Sequence, residues 1–498
     1  MTDTVTGRAG AVLCQAVAGA AARRPDDVAI TDVDGSEVRY GELLPLVERL
    51  AAGLHAHGVR PGDTLAFALP NSARYVGLIL AAARLGARYV PLMGDFTPEE
   101  TARALELARP VLLVADRPHH AAADAVRTVP PAAVADSAAP PAPLPAQPHA
   151  GLFRQLWTSG STGFPKMMVW RQDKFVTERR RWIADTGVTA DDVFYCRHPL
   201  DVAHATDLHV FAALLSGARL VLADPTAPAE DHLRRLGEQR ATVTSALPSH
   251  YACLVEAARI RPDADLSALR RPLCGGAYLS PAVVREAAEV LGIRIRQIYG
   301  STEFGIALGN MADEVQTSGA MVPVRGVGAR IAPLSERVPD TGELVLRSDC
   351  TSEGYLFADE ANARTFRDGE FWTGDVAQEV PGGGFRIVGR VSEVLTTPGG
   401  PVLAPVLDAE IAEACPGTEA VVLPVDPGSF TDRVVVVVRP APQGPAEDTL
   451  KQVDAVLSGH GLDAAVHVVD AIPRTPVGKI DKPRLRARFA LTGNRTGG

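Results

Sequence analysis

Apolar positions along this chain recur with two periods that take turns. Residues 11–23 form an Ala-rich helical segment, and residues 28–31 and 37–40 bracket an Asp34-Gly35 turn as a small hairpin. Leu43, Leu44, Val47, Leu50 and Leu54 fall on one side of a helix over 42–57, which Gly58 stops. A strand at 64–69, a helix at 73–85, a strand at 89–92, a helix at 98–108 and a strand at 111–114 follow. Further on, helices at 171–185, 207–216, 233–240 and 250–259 are interleaved with strands at 192–196, 219–223, 242–246, 273–277 and 295–298. Strand and helix alternating at this spacing predict an α/β fold with a largely parallel sheet. Beyond 320 the texture changes to short β runs at 328–331, 342–347, 371–373 and 385–388, and a compact α+β piece spans 392–488.

Two stretches interrupt the pattern. Residues 118–149 are rich in Ala and Pro, with Pro-Pro at 130–131 and 140–141, and read as an extended surface connection. In the helix at 171–185, Lys174, Glu178 and Arg179–Arg181 are expected on a solvated face. A chain of 498 residues exceeds one ordinary core, so two or more domains are expected. A net charge of −9 argues against nucleic acid as the main partner. No apolar run approaches a membrane span, and the N-terminus has no charged-then-apolar signal pattern. Cysteines 14, 196, 253, 274, 350 and 415 are scattered without a CxxC pair. That usage fits a reduced, cytoplasmic protein with neither a zinc site nor a disulfide framework.

The candidate chemistry centres on Trp157–Lys166. Thr158, Ser159, Gly160, Ser161, Thr162 and Gly163 are all glycine or hydroxyl residues, followed by Phe164, Pro165 and Lys166. Such a loop brings backbone N–H groups and hydroxyls round one anion, and the lysine adds mobile positive charge, which suits a polyphosphate. It is not a Walker loop, because Phe-Pro separates Gly163 from the lysine. The bland alternative is a flexible Ser/Gly linker. Tyr299, Gly300, Ser301, Thr302 and Glu303 come just past a strand end, offering a ring for a flat base, hydroxyls for a phosphate and a carboxylate for Mg²⁺. Asp375, ending Phe371-Trp372-Thr373-Gly374-Asp375, suits a ribose diol, although a β-turn aspartate reads the same way. Gly389-Arg390 follows, and Lys479 sits in the Pro/Gly-framed run Pro473–Lys482.

In this order the clusters resemble the adenylate-forming superfamily of acyl-CoA synthetases, peptide-synthetase adenylation domains and luciferases. The resemblance covers nearly the whole chain and includes Gly58–Asp63, Pro70-Asn71-Ser72, Gly86–Pro91, Gly342-Glu343-Leu344 and Gly354-Tyr355-Leu356. It implies a large N-terminal domain, 1–391, of parallel-rich sheets with helices plus a β-rich subdomain, and a small mobile α+β domain, 392–498. Thr158–Gly163 and Lys166 would clamp the β- and γ-phosphates of ATP. Gly275, Gly276 and Ala277 would line the adenine with Tyr299 on its face. Thr302 would touch the α-phosphate and Glu303 would bind Mg²⁺. Asp375, with Arg390, would hold the ribose. Lys479 would bridge carboxylate and phosphate as acyl-AMP and pyrophosphate form. Rotation about a hinge at Ser392 would then bring in the loop around Gly399 and admit the thiol of coenzyme A.

The chain departs from the family pattern in places. Met167 stands where glycine is usual after the loop lysine, and Ser392, followed by Glu393, replaces the usual aspartate or lysine hinge. Pro398 stiffens the acceptor loop, and the segment after it is one residue longer than usual. His204 occupies the place of the aspartate that holds an α-ammonium in amino-acid-activating relatives, which disfavours an α-amino acid. His204 and Asp207 would instead meet a hydroxyl or amino substituent, with Leu208, Ala246, Ile298 and Ile306 as the remaining wall. A compact aryl or arylacrylic acid is therefore expected. Asp207 and His209 have a bland reading as helix-face residues pointing to solvent, and His198 and His250 one as structural residues. A carrier-protein phosphopantetheine as acceptor, nitrite activated for diazotisation of an aryl amine, and a non-catalytic nucleotide binder are the alternatives. Neither nucleic acid nor membrane is an expected partner, and the state is expected to be monomer or homodimer.

Overall fold

The computed structural model describes residues 12–116, 126–135, 151–158, 164–312, 314–336, 339–425, 433–441, 446–462, 464–474 and 480–489. The period-two segments assemble into two large sheets. In the nine-stranded one, Arg296–Ser301, Arg271–Cys274, Val243–Ala246, Val193–Cys196, Arg219–Leu222 and Val28–Thr31 run parallel side by side, with antiparallel strands outside them. The seven-stranded sheet is built round Thr64–Ala68, flanked in parallel by Arg88–Pro91 and Leu112–Ala115.

Strand alternation divides the core. Leu65 and Phe67 share one apolar cluster with Phe194 and Cys196 of the other sheet and with helices Val12–Arg23, Tyr40–Ala56, Ala73–Leu85 and Gln172–Thr186. The intervening Ala66 faces a second cluster with Trp157, and Tyr195 a third. Both sheets are therefore covered on both faces, as parallel sheets require. Gly342 and Glu343 lie in an antiparallel sheet with Glu370–Glu379 and Phe385–Arg390, which accounts for the change of texture after 320.

The last part of the chain has a hairpin, Val394–Thr397 with Gly400–Leu403, and a three-stranded sheet centred on Val434–Arg439. Val434, Val436 and Val438 enter one cluster and Val435 and Val437 another, so the valine run is a central strand buried on both faces.

Four expectations need correction. Within the Ala/Pro-rich stretch, Thr128–Val129 adds a parallel strand beside Leu112–Ala115, and Pro131–Ala135 packs on helix Tyr40–Ala56. Val134 is fully buried, and a Cβ on Gly53 would lie 1.8 Å from its carbonyl oxygen. Its flanks, 117–125 and 136–150, lie outside the described residues. Second, Glu178 and Arg179 are buried as a pair instead of solvated. Third, strand Arg296–Ser301 continues through Tyr299 and Gly300 and folds back as Gly305–Gly309. Side-chain-free Gly300 permits that return, since a Cβ there would meet Gly305 O at 2.3 Å. Fourth, the helix expected at 207–216 starts at Ala203 and passes through a π-helical turn, Thr206–Phe211. Such turns are rare and often mark functional sites.

Candidate functional site

The phosphate-loop candidate is carried by two antiparallel strands, Leu152–Thr158 and Lys166–Arg171, in which Thr158 and Lys166 are direct partners. Ser159, Gly160, Ser161, Thr162 and Gly163 lie outside the described residues. The feet of the loop are rigid: Trp157 Nε1 donates to Pro91 O at 2.7 Å, and the rings of Phe96 and Phe164 pack on Trp157. Lys166 Nζ lies 4.8 Å from the centre of the Tyr355 ring, within cation–π range. Tyr355 in turn donates its hydroxyl to Glu303 Oε1 at 2.8 Å. Trp170, from the lysine's own strand, donates to Thr302 O at 2.7 Å. The lysine and the Thr302-Glu303 turn are thereby brought together from positions far apart in sequence. Glu178 adds a tie on the other side of the turn, accepting from Ile306 N at 3.0 Å.

A second group faces the same strand. Tyr299 donates its hydroxyl to Asp375 Oδ2 at 2.6 Å, while Arg390 Nε holds Asp375 Oδ1 at 2.7 Å. Asp375 and Arg390 are cross-strand partners, so the pair is set by sheet register. Burial pushes the Asp375 carboxyl up, and the Arg390 guanidinium opposes it. Each carboxylate oxygen has one donor and keeps a lone pair, so a vicinal diol can still be accepted. Charged hydrogen bonds of this kind contribute about 1.5–3 kcal/mol. Under the ribose role that the family resemblance implies, Asp375→Ala would raise the KM for ATP by about tenfold to a hundredfold, read from initial rates at saturating acid.

Glu303 has the chemistry for a magnesium ion: a carboxylate whose neighbour is a neutral phenol, with no lysine or arginine ion-paired to it among the described residues. One carboxylate with substrate phosphates is a common way for proteins to bind Mg²⁺. Among the described residues no group of three His, Cys, Asp or Glu side chains is placed to hold a metal.

Gly275 is required by packing, since a Cβ there would lie 2.8 Å from Ile298 Cγ1 and 2.9 Å from Ile298 O. Gly276 adopts φ +80°, and its Cβ position lies 3.8 Å from His204 Nδ1. The next residue, Ala277, is exposed, and Ser301 Oγ is enclosed without a hydrogen-bond partner.

His204 belongs to a group tethered to Ser245 of strand Val243–Ala246. His204 Nε2 lies 2.9 Å from Ser245 Oγ, Ser245 N donates to His209 Nε2 at 3.0 Å, and His198 Nε2 donates to Ser245 O at 3.0 Å. Burial pushes His209 down to about 3, so it is a neutral, fully enclosed strut and not a solvent-facing residue. Leu208, Ile298 and Ile306 share one apolar cluster, and Ala246 belongs to the cluster on the opposite face of the sheet.

Asp207 departs from its expected role. Its carboxylate is taken by Arg154, at 2.5 and 2.9 Å, and by Thr206 Oγ1 at 3.0 Å. Arg154 is fully buried, with Phe175 under its guanidinium at 4.1 Å. Asp207 therefore anchors the π-turn into the core and leaves substrate recognition to others. Sequence patterning could not pair the two, because Arg154 looked like one polar residue inside an apolar strand.

Ser392, the expected hinge, lies in a single 3₁₀ turn, Val391–Glu393. Glu393 is buried, accepting from Arg390 N at 3.2 Å and pairing with Lys482 Nζ at 2.5 Å. The Gly399 turn is closed by Thr397 Oγ1 donating to Gly400 O at 2.8 Å, and Pro398 packs against Gly461. Lys479 lies outside the described residues. The neck of its loop is fixed by a bridge between Arg474 and Ile480 and by Asp481 N donating to Pro473 O at 2.9 Å. Tyr355, Trp170, Glu178 and Glu393 have supporting roles that sequence reasoning missed, although Tyr355 stood in a quoted Gly-Tyr-Leu motif, Glu393 beside the expected hinge and Glu178 on a face taken as solvated.

A family model described as AMP-binding enzyme matches residues 17–356. The chain belongs to the AMP-binding enzyme family. As such it is an AMP-forming, adenylating ligase. It is 30% identical to a feruloyl-CoA synthase of an Amycolatopsis species, over 91% of this chain and 94% of that one. It is also 30% identical to a salicylyl-CoA synthase / salicylate adenylyltransferase of a Streptomyces species, over 93% and 90% respectively. The crystal structure of ATP-bound MatB from Rhodopseudomonas palustris superposes with a TM-score of 0.83 at 26% identity, covering 97% of this chain and 99% of that one. Among the described residues no helix is long and apolar enough to cross a membrane.

Proposed function

We propose that this enzyme converts an aryl or arylacrylic acid to its acyl-AMP, releasing pyrophosphate, and passes the acyl group to the thiol of coenzyme A. The observation that carries the reading is the contact chain Lys166–Tyr355–Glu303 beside Tyr299–Asp375–Arg390. It gathers groups suited to triphosphate, magnesium and ribose from five separated stretches of sequence. The aromatic preference draws on relatives named for ferulic and salicylic acids, and on His204, a neutral-sized polar group beside Gly276 where a carboxylate would suit an ammonium.

In this reading residues 1–391 form the ATP- and acid-binding domain and 392–498 the mobile one. Lys166 and Thr158–Gly163 grip the outer phosphates, Asp375 and Arg390 hold the ribose, and Thr302 orients the α-phosphate. An oxygen of the acid's carboxylate forms a bond to the α-phosphorus while the bond to the bridging oxygen of pyrophosphate breaks. Lys479 neutralises the carboxylate and the non-bridging oxygens as charge redistributes. Bound at Glu303, Mg²⁺ would supply further neutralisation. The thiolate sulfur of coenzyme A then attacks the acyl carbon, and AMP leaves with the bonding pair. His204 and the apolar side chains Leu208, Ile298 and Ile306 shape the acid site, and Ala246, on the opposite face of its sheet, is left out of that wall. Six free thiols, five of them buried, support a cytoplasmic location.

The test is pyrophosphate release with benzoic, hydroxybenzoic, cinnamic, hydroxycinnamic and fatty acids, each with and without coenzyme A. The expected result is release and a coenzyme-A-dependent thioester for the hydroxyaryl or hydroxycinnamic acids, at least tenfold above fatty acids. Release without thioester would move the acceptor to a carrier-protein phosphopantetheine. Preference for fatty acids would overturn the aromatic assignment.

A further inference from the structure

Beyond the carboxyl end of strand Val193–Cys196, three enclosed nitrogens from three different elements have no hydrogen-bond partner: Arg197 Nη1, His232 Nε2 and His250 Nδ1. Arg197 directly follows the strand, His232 lies on helix Ala229–Glu238, and His250 lies in the first turn of helix Pro248–Ile260. Tyr195, two residues before Arg197 in the strand, has its hydroxyl 2.8 Å from His232 Nδ1. The His250 ring centre is 5.1 Å from that of His198, which links this cluster to the histidines round Ser245.

The protonation states follow from the surroundings. Burial pushes both His232 and His250 down to about 4, so both are neutral at pH 7. Burial pushes the Tyr195 hydroxyl up, so it keeps its proton and donates to His232 Nδ1. The imidazole hydrogen of His232 is then on Nε2, which is a buried donor without an acceptor. Arg197 Nη1 is a second. Burial also lowers the Arg197 pKa, and no carboxylate is among the groups acting on that guanidinium. The acids near His232 are Asp224, whose carboxylate accepts from Thr226 N and Oγ1 at 2.9 and 2.7 Å, and Asp231, which meets Arg234.

A half-buried cation and a buried donor, both unpaired, are costly unless something else completes them. The two fully buried arginines Arg154 and Arg179, by contrast, are ion-paired to Asp207 and Glu178. Open α/β sheets bind ligands beyond the carboxyl ends of their strands, where Arg197 stands. Arg197 and His250 are half-buried residues, so the cluster lies at the edge of the protein surface although the three nitrogens themselves are enclosed.

We propose that Arg197, His232 and His250 form an oxyanion subsite that takes an anionic oxygen of a substrate other than the reacting carboxylate. It rests on the acid–CoA ligase reading, in which two reactants carry such a group: an acid with a second acidic substituent, and coenzyme A with its phosphates. Arg197→Gln tests it with matched pairs. Benzoate is compared with benzene-1,4-dicarboxylate in pyrophosphate release, and coenzyme A with dephospho-coenzyme A in thioester formation.

The expected result is that, in one pair, the kcat/KM ratio of the more anionic member to the less anionic one falls at least tenfold. Arg197→Lys, retaining a point charge, recovers part of it. A fall in the acid pair assigns the subsite to the acid, and a fall in the coenzyme pair assigns it to coenzyme A. Inorganic phosphate is expected to raise the Tm of the wild-type enzyme and not that of the variant. Unchanged ratios in both pairs, with no phosphate effect on the wild type, would overturn the subsite and make Arg197 structural. If Arg197→Gln does not fold, His250→Gln at the half-buried rim is read in the same two ratios. Failure of the ligase reading is distinguishable, because the wild-type enzyme would then release no pyrophosphate with any acid.

Discussion

Lys479→Ala is expected to slow acyl-AMP formation by about 10²-fold or more while leaving thioester formation from preformed acyl-AMP far less affected. The size follows from losing a preorganised charge at the point where charge redistributes, a loss that costs about 2.7–4 kcal/mol in comparable sites. The asymmetry follows from the geometry of the reading. Lys479 falls in sequence between Arg474 and Ile480, which are bridged to each other, and ahead of helix Lys482–Phe489. Lys482, three residues on, is ion-paired to Glu393 next to Ser392, so a rotation about the proposed hinge would carry Lys482 and its neighbours with it. In the second half-reaction the lysine is expected to have left the site. Single-turnover formation of acyl-AMP, followed by a chase of isolated acyl-AMP with coenzyme A, separates the two steps. Equal losses in both would make the lysine structural.

How much of this could be read before the structure depends on the kind of residue. The change from α/β to antiparallel texture near 320 was legible, and the sheet register does set Asp375 beside Arg390, which the resemblance had named together. Glycine and hydroxyl residues announced a loop after Trp157, but Ser159–Gly163 lie outside the described residues, and the turn expected from Tyr299 begins only after the strand has run through Ser301. Residues that act through partners distant in sequence were not legible. Glu178 and Arg179 looked like a solvated charge pair because helical periodicity cannot reveal that strand Gly305–Gly309 packs over them; a Cβ on Gly305 would lie 2.4 Å from Glu178 Oε1. Asp207 looked available because its partner is fifty-three residues earlier. The Ala/Pro-rich stretch looked coreless because composition averages over thirty residues, whereas Val129 on its short strand and Val134 on its short helix enter the core. The π-turn carries no local signature, and it is held by the buried ion pair that patterning could not see.

That pair sets the largest expected effect on stability. Arg154→Met is expected to destabilise the enzyme by about 3–5 kcal/mol at pH 7, because it strands the buried Asp207 carboxylate without its guanidinium partner. A typical domain has about 5–15 kcal/mol in total, so the loss is severe. The double variant Arg154→Met/Asp207→Leu is expected to recover most of it, since two apolar side chains of similar volume avoid the desolvation that the charges incur.

The pH dependence distinguishes a stranded charge from a simple packing defect. In the wild-type enzyme Arg154 holds the Asp207 pKa below its ordinary value against the desolvation that raises it. That contribution is present above the unfolded pKa and is lost as pH falls through the folded one. Without Arg154 desolvation dominates and the folded pKa rises above the unfolded one. The penalty relative to the double variant then vanishes below the unfolded pKa, about 4, and grows as pH rises through neutrality. Urea midpoints of the two variants should therefore converge toward pH 4 and separate by pH 7. A pH-independent gap would mean that Arg154 contributes through its stacking on Phe175 alone.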